Sequence, residues 1–310
     1  MLKSTFKRVR GSQPFNAVAT SAARACMRAL GRTPETFVRH LPRVGAVESR
    51  LPNGRALRLW SRGDDHVANQ VYWKEWRGYE SETTPLFYEL ASKASVVFDV
   101  GAHVGFYSLL AAHANPSGRV LAFEPLPKAA ERFRRNVAEN GLTNVELFEC
   151  ALGDAEGSAT LYHEPDSAEG VPTSSGLSSH FFQLPYYVSH GVKAGIDVRV
   201  TTIDEVARER NVARVDLIKI DTETTEPAVL AGAAETLARD RPDLVFEVLP
   251  GQGTSGAITR LLKPLGYTFY HLRDDGPVRR EEIEDHADWC NYFARARGDE
   301  GPGGAGPGRG

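Results

Sequence analysis

The sequence predicts an α/β fold, a doubly wound parallel sheet of seven strands standing behind a smaller N-terminal helical and β-hairpin region. Three observations predict it. From residue 95 onward short β-rich runs alternate with helical ones. One of those strands ends in an acid and turns through glycines straight into a helix, FDVGAHVGFYSL. The chain has 310 residues, 41% of them hydrophobic and 25% charged, enough for one sizeable core or two small ones. It has no fixed-period repeat and no apolar run of about eighteen residues, so neither a solenoid nor a membrane-spanning helix is expected.

Residues 1–45 are expected to form a basic N-terminal arm, helical in part. Residues 1–50 hold ten Lys and Arg against Glu35 and Glu48. Arg24 and Arg28 interrupt the alanine-rich stretch before it can form a secretory apolar region, so no export signal is expected. Such an arm suits peripheral contact with an anionic membrane or a partner subunit, or it is a solvated terminus; nucleic acid is not expected. Cys26, Cys150 and Cys290 are odd in number and far apart, which argues against a disulfide framework or a zinc site and for a reducing, cytoplasmic setting.

Residues 46–94 read as a β-hairpin and helical lead-in, with VESRL and RALRLW flanking Pro52-Asn53-Gly54. The main domain, 95–297, then follows in order: SVVFDV strand, FYSLLAAHA helix, RVLAFE strand, KAAERFRRNVAEN helix, VELFECAL strand. After an irregular insertion at 153–197, DLIKID is a strand, EPAVLAGAAETLA a helix, DLVFEVL a strand and SGAITRLLKPLG a helix, with YTFYHLR and NYFARAR as the last strands. The insertion holds Phe181, Phe182, Tyr186 and Tyr187, and suits either a lid or substrate wall or a satellite hydrophobic cluster. The last residues, 298–310, are Gly- and Pro-rich and read as a disordered tail.

The residues after the first core strand carry the chemistry. Asp99 ends a buried strand at the carboxyl edge, where open α/β sheets bind ligands. Gly101 and Gly105 let the backbone turn and a ligand approach without meeting a Cβ, and the next strand ends in Glu124, placed to accept both ribose hydroxyls. A dinucleotide site would want G-x-G-x-x-G, with its pyrophosphate on the helix N-terminus. Here the glycines are four apart and a carboxylate precedes them, which favours a donor carrying ammonium and sulfonium charge, S-adenosyl-L-methionine (SAM), over NAD. Singly, each of these residues is equally a cap or a turn; the set together marks a nucleoside-cofactor site.

Across about residues 50–297 the chain resembles the FkbM family of SAM-dependent methyltransferases, on the stretches FDVGAHVGFYSL, LAFEPLP, CALGD, SSGLSS, VRVTTIDEV and LIKIDTETTEPAVLAG followed by LVFEV. The resemblance implies a class I methyltransferase (Rossmann-like) sheet with its last strand inserted antiparallel. It implies that Asp99 to Gly105, with Ala102 and His103 between, line the methionine part of SAM, that Glu124 holds the ribose, and that Ala151 and Leu152 lie by the adenine. It also implies a methyl acceptor that is a hydroxyl of a natural product, sugar or lipid, sometimes a nitrogen. One departure stands out: where members often read Ile-Asp-Val-Glu-Gly-Ala-Glu, this chain reads Ile220-Asp221-Thr222-Glu223-Thr224-Thr225-Glu226, so a threonine occupies the glycine position and φ > 0 is costly there.

If the acceptor is an alcohol, its proton must leave as the bond to methyl forms, so a nearby base helps. Asp221, Glu223 and Glu247 at the ends of the fourth and fifth strands are candidates for base or for binding the SAM ammonium, with Asp221 also counted among the cofactor ligands; a Mg²⁺ role is less favoured and no metal is expected. Glu226, next to Pro227, reads as a helix-start acid. His180 is a second base candidate and His190 a weaker one; Glu80 could close over the cofactor. Two other functions fit the same residues less well: a silent nucleoside-binding scaffold and an NAD-linked oxidoreductase.

Overall fold

The computed structural model describes residues 13–31, 38, 40–163, 171–172, 175–177 and 194–296. In chain order the elements are α1 (Gln13–Ala29), β1 (Val44–Arg50), β2 (Ala56–Arg62), α2 (His66–Lys74), α3 (Thr84–Lys93), β3 (Val96–Val100), α4 (Phe106–Ala114), β4 (Arg119–Phe123), α5 (Pro127–Glu139), β5 (Val145–Phe148), β6 (Ala151–Leu152), β7 (Gly157–His163), β8 (Ser175–Gly176) and β9 (Ala194–Thr201). They continue with α6 (Ile203–Glu209), β10 (Leu217–Ile220), α7 (Glu226–Ala231), α8 (Ala234–Asp240), β11 (Asp243–Glu247), α9 (Thr254–Leu262), β12 (Thr268–His271), β13 (Val278–Arg280) and β14 (Asn291–Arg295).

The central sheet runs β13-β12-β14-β11-β10-β3-β4-β5. From β11 to β5 all pairs are parallel, while β14 is antiparallel to both β11 and β12. The last long strand is therefore slotted between β11 and β12 against the grain, the class I methyltransferase arrangement that the resemblance implies. The sheet has eight described strands rather than seven, because residues 278–280 add a short edge strand beyond β12. A run of three residues with alternating exposure is too short and too basic to register as a strand in the sequence.

Three further readings are corrected. VELFECAL is not one strand: β5 ends at Phe148 and Ala151–Leu152 pairs instead with β9 in another sheet. The stretch from 153 to 197 is not simply irregular, since β7 and β9 run antiparallel through it and form, with β6 and β8, a four-stranded sheet of described strands. EPAVLAGAAETLA breaks into α7 and α8 at Gly232-Ala233, where the Gly232 carbonyl accepts a hydrogen bond from the Asp204 N–H instead of continuing the helix. His180, His190 and the aromatics Phe181, Phe182, Tyr186 and Tyr187 lie outside the described residues, as does the tail from 297.

Burial follows the two-residue strand period. Phe98 and Val100, Ile218 and Ile220, and Leu244 and Phe246 face one helical layer and form one apolar cluster with α6 to α9. Val97, Leu217, Val245 and Phe293 face the other layer, packing on α3, α4 and the β1–β2 hairpin. The hairpin hides its edge rather than exposing it: the Arg58 and Trp60 N–H groups donate to the Asn140 and Asn136 side chains, from the end of α5, at 2.9 and 2.8 Å. Arg132 of α5 completes the join, bonding the Trp60 carbonyl and the Asp64 carboxylate.

Candidate active site

The period that sorts the core also builds a polar row. Asp99, Lys219 and Glu247 each fall on the Val97–Leu217–Val245 face, with Lys219 registered opposite Asp99 and Glu247 opposite Asn291 of β14. The row crosses four strands, at the carboxyl ends of β3, β10 and β11 and at the amino end of the antiparallel β14. Above it Tyr107 projects from α4, and Glu80 comes from the loop before α3.

Lys219 is the hub. It is 0% exposed, donates to Asp221 Oδ2 at 3.0 Å, and holds its ammonium 4.9 Å from the centre of the Tyr107 ring. Burial alone would lower its pKa, but Asp221, Glu80 and Glu247 around it hold it above the ordinary lysine value. Glu80 accepts from the Tyr107 hydroxyl at 2.7 Å and from Asn291 Nδ2 at 3.3 Å, and burial raises its carboxyl. Glu247 is pushed well above the ordinary carboxylate range, first by burial and then by the negative Asp221, Glu223 and Glu80.

A cleft opens over this row. One wall is the turn after β3, with Gly101 and His103; the floor carries Glu124 and Pro125 from the end of β4. Ala151, Leu152 and Leu161 make an apolar corner, Ser175 to Leu177 lie across it, and Tyr79, Glu80, Asp221, Glu223 and Glu247 form the acidic end. Thus the structure brings Gly101, His103, Glu124, Ala151, Leu152, Asp221, Glu223 and Glu247 around one space.

Asp99, Ala102 and Gly105 are not among its lining residues. Asp99 is 2% exposed and turned toward α4, where its Oδ2 accepts from the Ser108 hydroxyl; burial raises its pKa to about 6 against the downward pull of Ser108 and Lys219. It supports the turn from behind. Gly105 has φ 90°, and a Cβ there would stand 2.7 Å from the Phe133 ring, so its glycine serves packing of α4 on α5. Gly101 is held by closer contact: at φ 78°, an added Cβ would lie 1.8 Å from the Asp221 carbonyl oxygen, so the turns after β3 and β10 touch backbone to backbone.

Glu124 is 3% exposed, and each of its oxygens accepts a backbone N–H, from His103 at 2.7 Å and Leu126 at 2.8 Å. Each oxygen keeps a lone pair for a ligand hydroxyl. Burial is the main reason its pKa is raised. His103 in turn donates from Nε2 to the Pro172 carbonyl at 2.8 Å, while Val171 N–H donates to Asp64 Oδ2 at 3.2 Å.

The altered turn after β10 keeps a glycine-like path. Glu223 and Thr224 have φ 55° and 93°, and Glu226 Oε1 accepts from the N–H groups of Thr222 and Thr224 and from the Thr222 hydroxyl, each at 3.1 Å. Glu226 is 1% exposed and braces the turn as well as opening α7.

Lys219, Tyr79 and Tyr107 are site residues that the motif reading passes over. The signal for Lys219 was a charge inside the apolar strand LIKI, a position where lysine is rarely buried without partners. Among the described residues no group of three or more His, Cys, Asp or Glu could hold a metal ion, and no helix is long and apolar enough to cross a membrane.

Comparison with known proteins bears on this cleft. The family model of the methyltransferase FkbM domain matches residues 99–299. The 31-O-demethyl-FK506 methyltransferase FkbM of Streptomyces tacrolimicus is 31% identical over 247 residues, covering 73% of this chain and 90% of that protein. The AMB antimetabolite synthetase AmbE of Pseudomonas aeruginosa is 27% identical over 228 residues, 64% of this chain; the chain spans only 10% of that protein's length. A crystal structure of methyltransferase FkbM from Methylobacillus flagellatus is similar at 14% identity and a TM-score of 0.41, over 74% of this chain and 54% of that one.

Proposed function

Because the chain belongs to the FkbM family of methyltransferases, we propose that it moves a methyl group from SAM to a hydroxyl of a small molecule, sugar or lipid-like natural product. The observation that carries the reading is one cleft that brings together the Glu124 carboxylate, the apolar Ala151, Leu152 and Leu161, and the acidic Glu80, Asp221, Glu223 and Glu247. That donor set suits a ligand with a diol, a flat base and a cationic sulfonium and ammonium. It suits a pyrophosphate poorly, since four carboxylates crowd one end. The hydroxyl acceptor is supported by the similar Streptomyces protein, whose name puts its methyl on an oxygen.

Under this reading Glu124 accepts the ribose hydroxyls, Ala151, Leu152 and Leu161 flank the adenine, and the Gly101–His103 backbone borders the methionine part. SAM supplies, when bound, a methyl on a sulfur leaving group. The chain's share is positioning and proton handling. Glu247 holds the acceptor's proton: its raised pKa makes it a stronger base than an ordinary surface carboxylate. Lys219 fixes the Asp221 carboxylate and spreads positive charge beneath Glu80 and Glu247, so that the acidic end keeps one geometry. Tyr107 and Asn291 hold Glu80.

Equilibrium titration of the purified protein with SAM, S-adenosylhomocysteine and NAD⁺ tests the cofactor. Saturation by the two sulfur compounds is expected; saturation by NAD⁺ alone overturns the reading. Incubation of lysate metabolites with labelled SAM, followed by mass identification of the product, tests the acceptor, and a label on nitrogen rather than oxygen refutes the hydroxyl assignment.

A further inference from the structure

Helix α1 exposes large apolar side chains while burying polar ones. An ordinary surface helix turns apolar residues to the core and charges to water. Here polar residues share the side facing the body with Ala23 and Met27, which pack on the core: Asn16 is 2% exposed and exchanges bonds with the Pro42 carbonyl and the Val44 N–H, at 2.9 and 2.8 Å. One turn on, Thr20 is 0% exposed and accepts from Arg43. Another turn on, Arg24 pairs with Glu75 at 2.6 Å and lies over the Tyr72 ring. These bonds fix which way the helix is rotated.

The opposite side carries no charge among its described side chains. Phe15, Val18 and Leu30 are 53%, 72% and 66% exposed, and Ala22, Ala25 and Ala29 lie exposed between them. Phe15, Val18, Ala22, Ala25 and Ala29, spaced three and four residues apart, form a continuous stripe along one side of the helix, and Leu30 follows its end. Large exposed apolar side chains in line on an outer helix mark a surface that meets something other than water.

Charge identifies that partner. Residues 1–34 contain seven Lys and Arg (Lys3, Lys7, Arg8, Arg10, Arg24, Arg28, Arg32) and no acid, and four of them fall in the ten residues that lead into the helix, interleaved with Leu2, Phe6 and Val9. We propose that α1 docks the protein on an anionic phospholipid membrane, lying flat with Phe15 and Val18 in the headgroup and acyl boundary, the basic sequence around it favouring anionic lipid. Seventeen residues of helix reach about 25 Å and, with an alanine-lined stripe, lie on the bilayer rather than cross it. A second copy of the chain is the weaker occupant, because pairing two such helices brings two acid-free basic arms together.

Flotation of the full-length protein with vesicles tests this. Binding is expected to vesicles of phosphatidylcholine with about 30% phosphatidylglycerol, and to fall at least about tenfold on pure phosphatidylcholine or in about 0.5 M salt. The double variant Phe15→Asp, Val18→Asp is expected to lose vesicle binding by a similar factor while its SAM affinity is unchanged, which separates this from misfolding. The proposal is overturned by equal binding to the two vesicle types, by binding that the variant leaves intact, by no binding at all, or by a concentration-dependent dimer that the same variant abolishes.

Discussion

Replacing Thr224 with glycine should stabilise the protein, although its neighbours Glu223 and Thr225 line the cleft. At φ 93° a β-branched residue pays about 1–3 kcal/mol for its backbone conformation. The turn is held there by others: Glu226 takes the N–H groups of Thr222 and Thr224, and both bonds survive in the variant because they use only backbone donors. Against the relief stands the extra freedom of glycine in the unfolded chain, about 0.4–1 kcal/mol. The net gain is about 1 kcal/mol, which for a chain of this size raises Tm by about 2 °C. Urea unfolding at neutral pH, followed by fluorescence, measures the gain as a shift in midpoint at unchanged slope. Thr224→Ala serves as control: it sheds the branch and keeps a Cβ at positive φ, so its gain should be smaller. If Thr224→Gly is no more stable than the parent, or is matched by Thr224→Ala, the strain argument is wrong.

Asp99→Asn should make stability less dependent on pH. The Asp99 carboxyl, at about 6 against an ordinary 3.8, contributes stability that is complete below 3.8 and lost as pH rises through 6, a difference of about 3 kcal/mol. The advantage of the variant should therefore grow by about that amount between pH 4 and 7, and parallel stability curves would refute it. Gly101→Ala should cost more than about 3 kcal/mol, because its Cβ meets backbone at 1.8 Å, whereas Gly105→Ala, meeting a ring at 2.7 Å, should cost less; the reverse order of denaturation midpoints would contradict the two packing roles. Lys219→Met should destabilise by about 3 kcal/mol, since it leaves Asp221, Glu80 and Glu247 without their cation, and should shift the pH profile of methyl transfer upward as Glu247 gains its proton more readily; an unmoved profile would exclude the positioning role.

Much of this was readable in the sequence, and the limits have physical causes. The parallel strands are continuous apolar runs because both faces are covered, so β3, β4, β10 and β11 stand out, and with them the acids that terminate them. Glu124, Asp221 and Glu247 were legible for that reason. Asp99 was legible as a strand residue, but its face was not: it shares the side of Val97, and Ser108 one helix away claims it. Lys219 was hidden because a single charge does not break an apolar pattern. Tyr79 comes from the lead-in, whose approach to β10 is set by tertiary packing and leaves no periodic trace, and its neighbour Glu80 was legible only as an acid just upstream of the first core strand. The β7–β9 sheet was obscured by glycine, serine and acidic residues that read as loop.

Residues 171 and 172 are gripped by two unrelated parts of the chain, the glycine turn through His103 and the N-terminal hairpin through Asp64, itself bound to Arg132. Any molecule that reorders His103 therefore works against the seating of the hairpin, and, by reciprocity, tighter seating alters how strongly that molecule is held. Hairpin amides reporting on donor occupancy by faster hydrogen exchange would be the visible sign of this linkage. What looks like an appendage preceding the catalytic body is in thermodynamic terms a second handle on the same cleft.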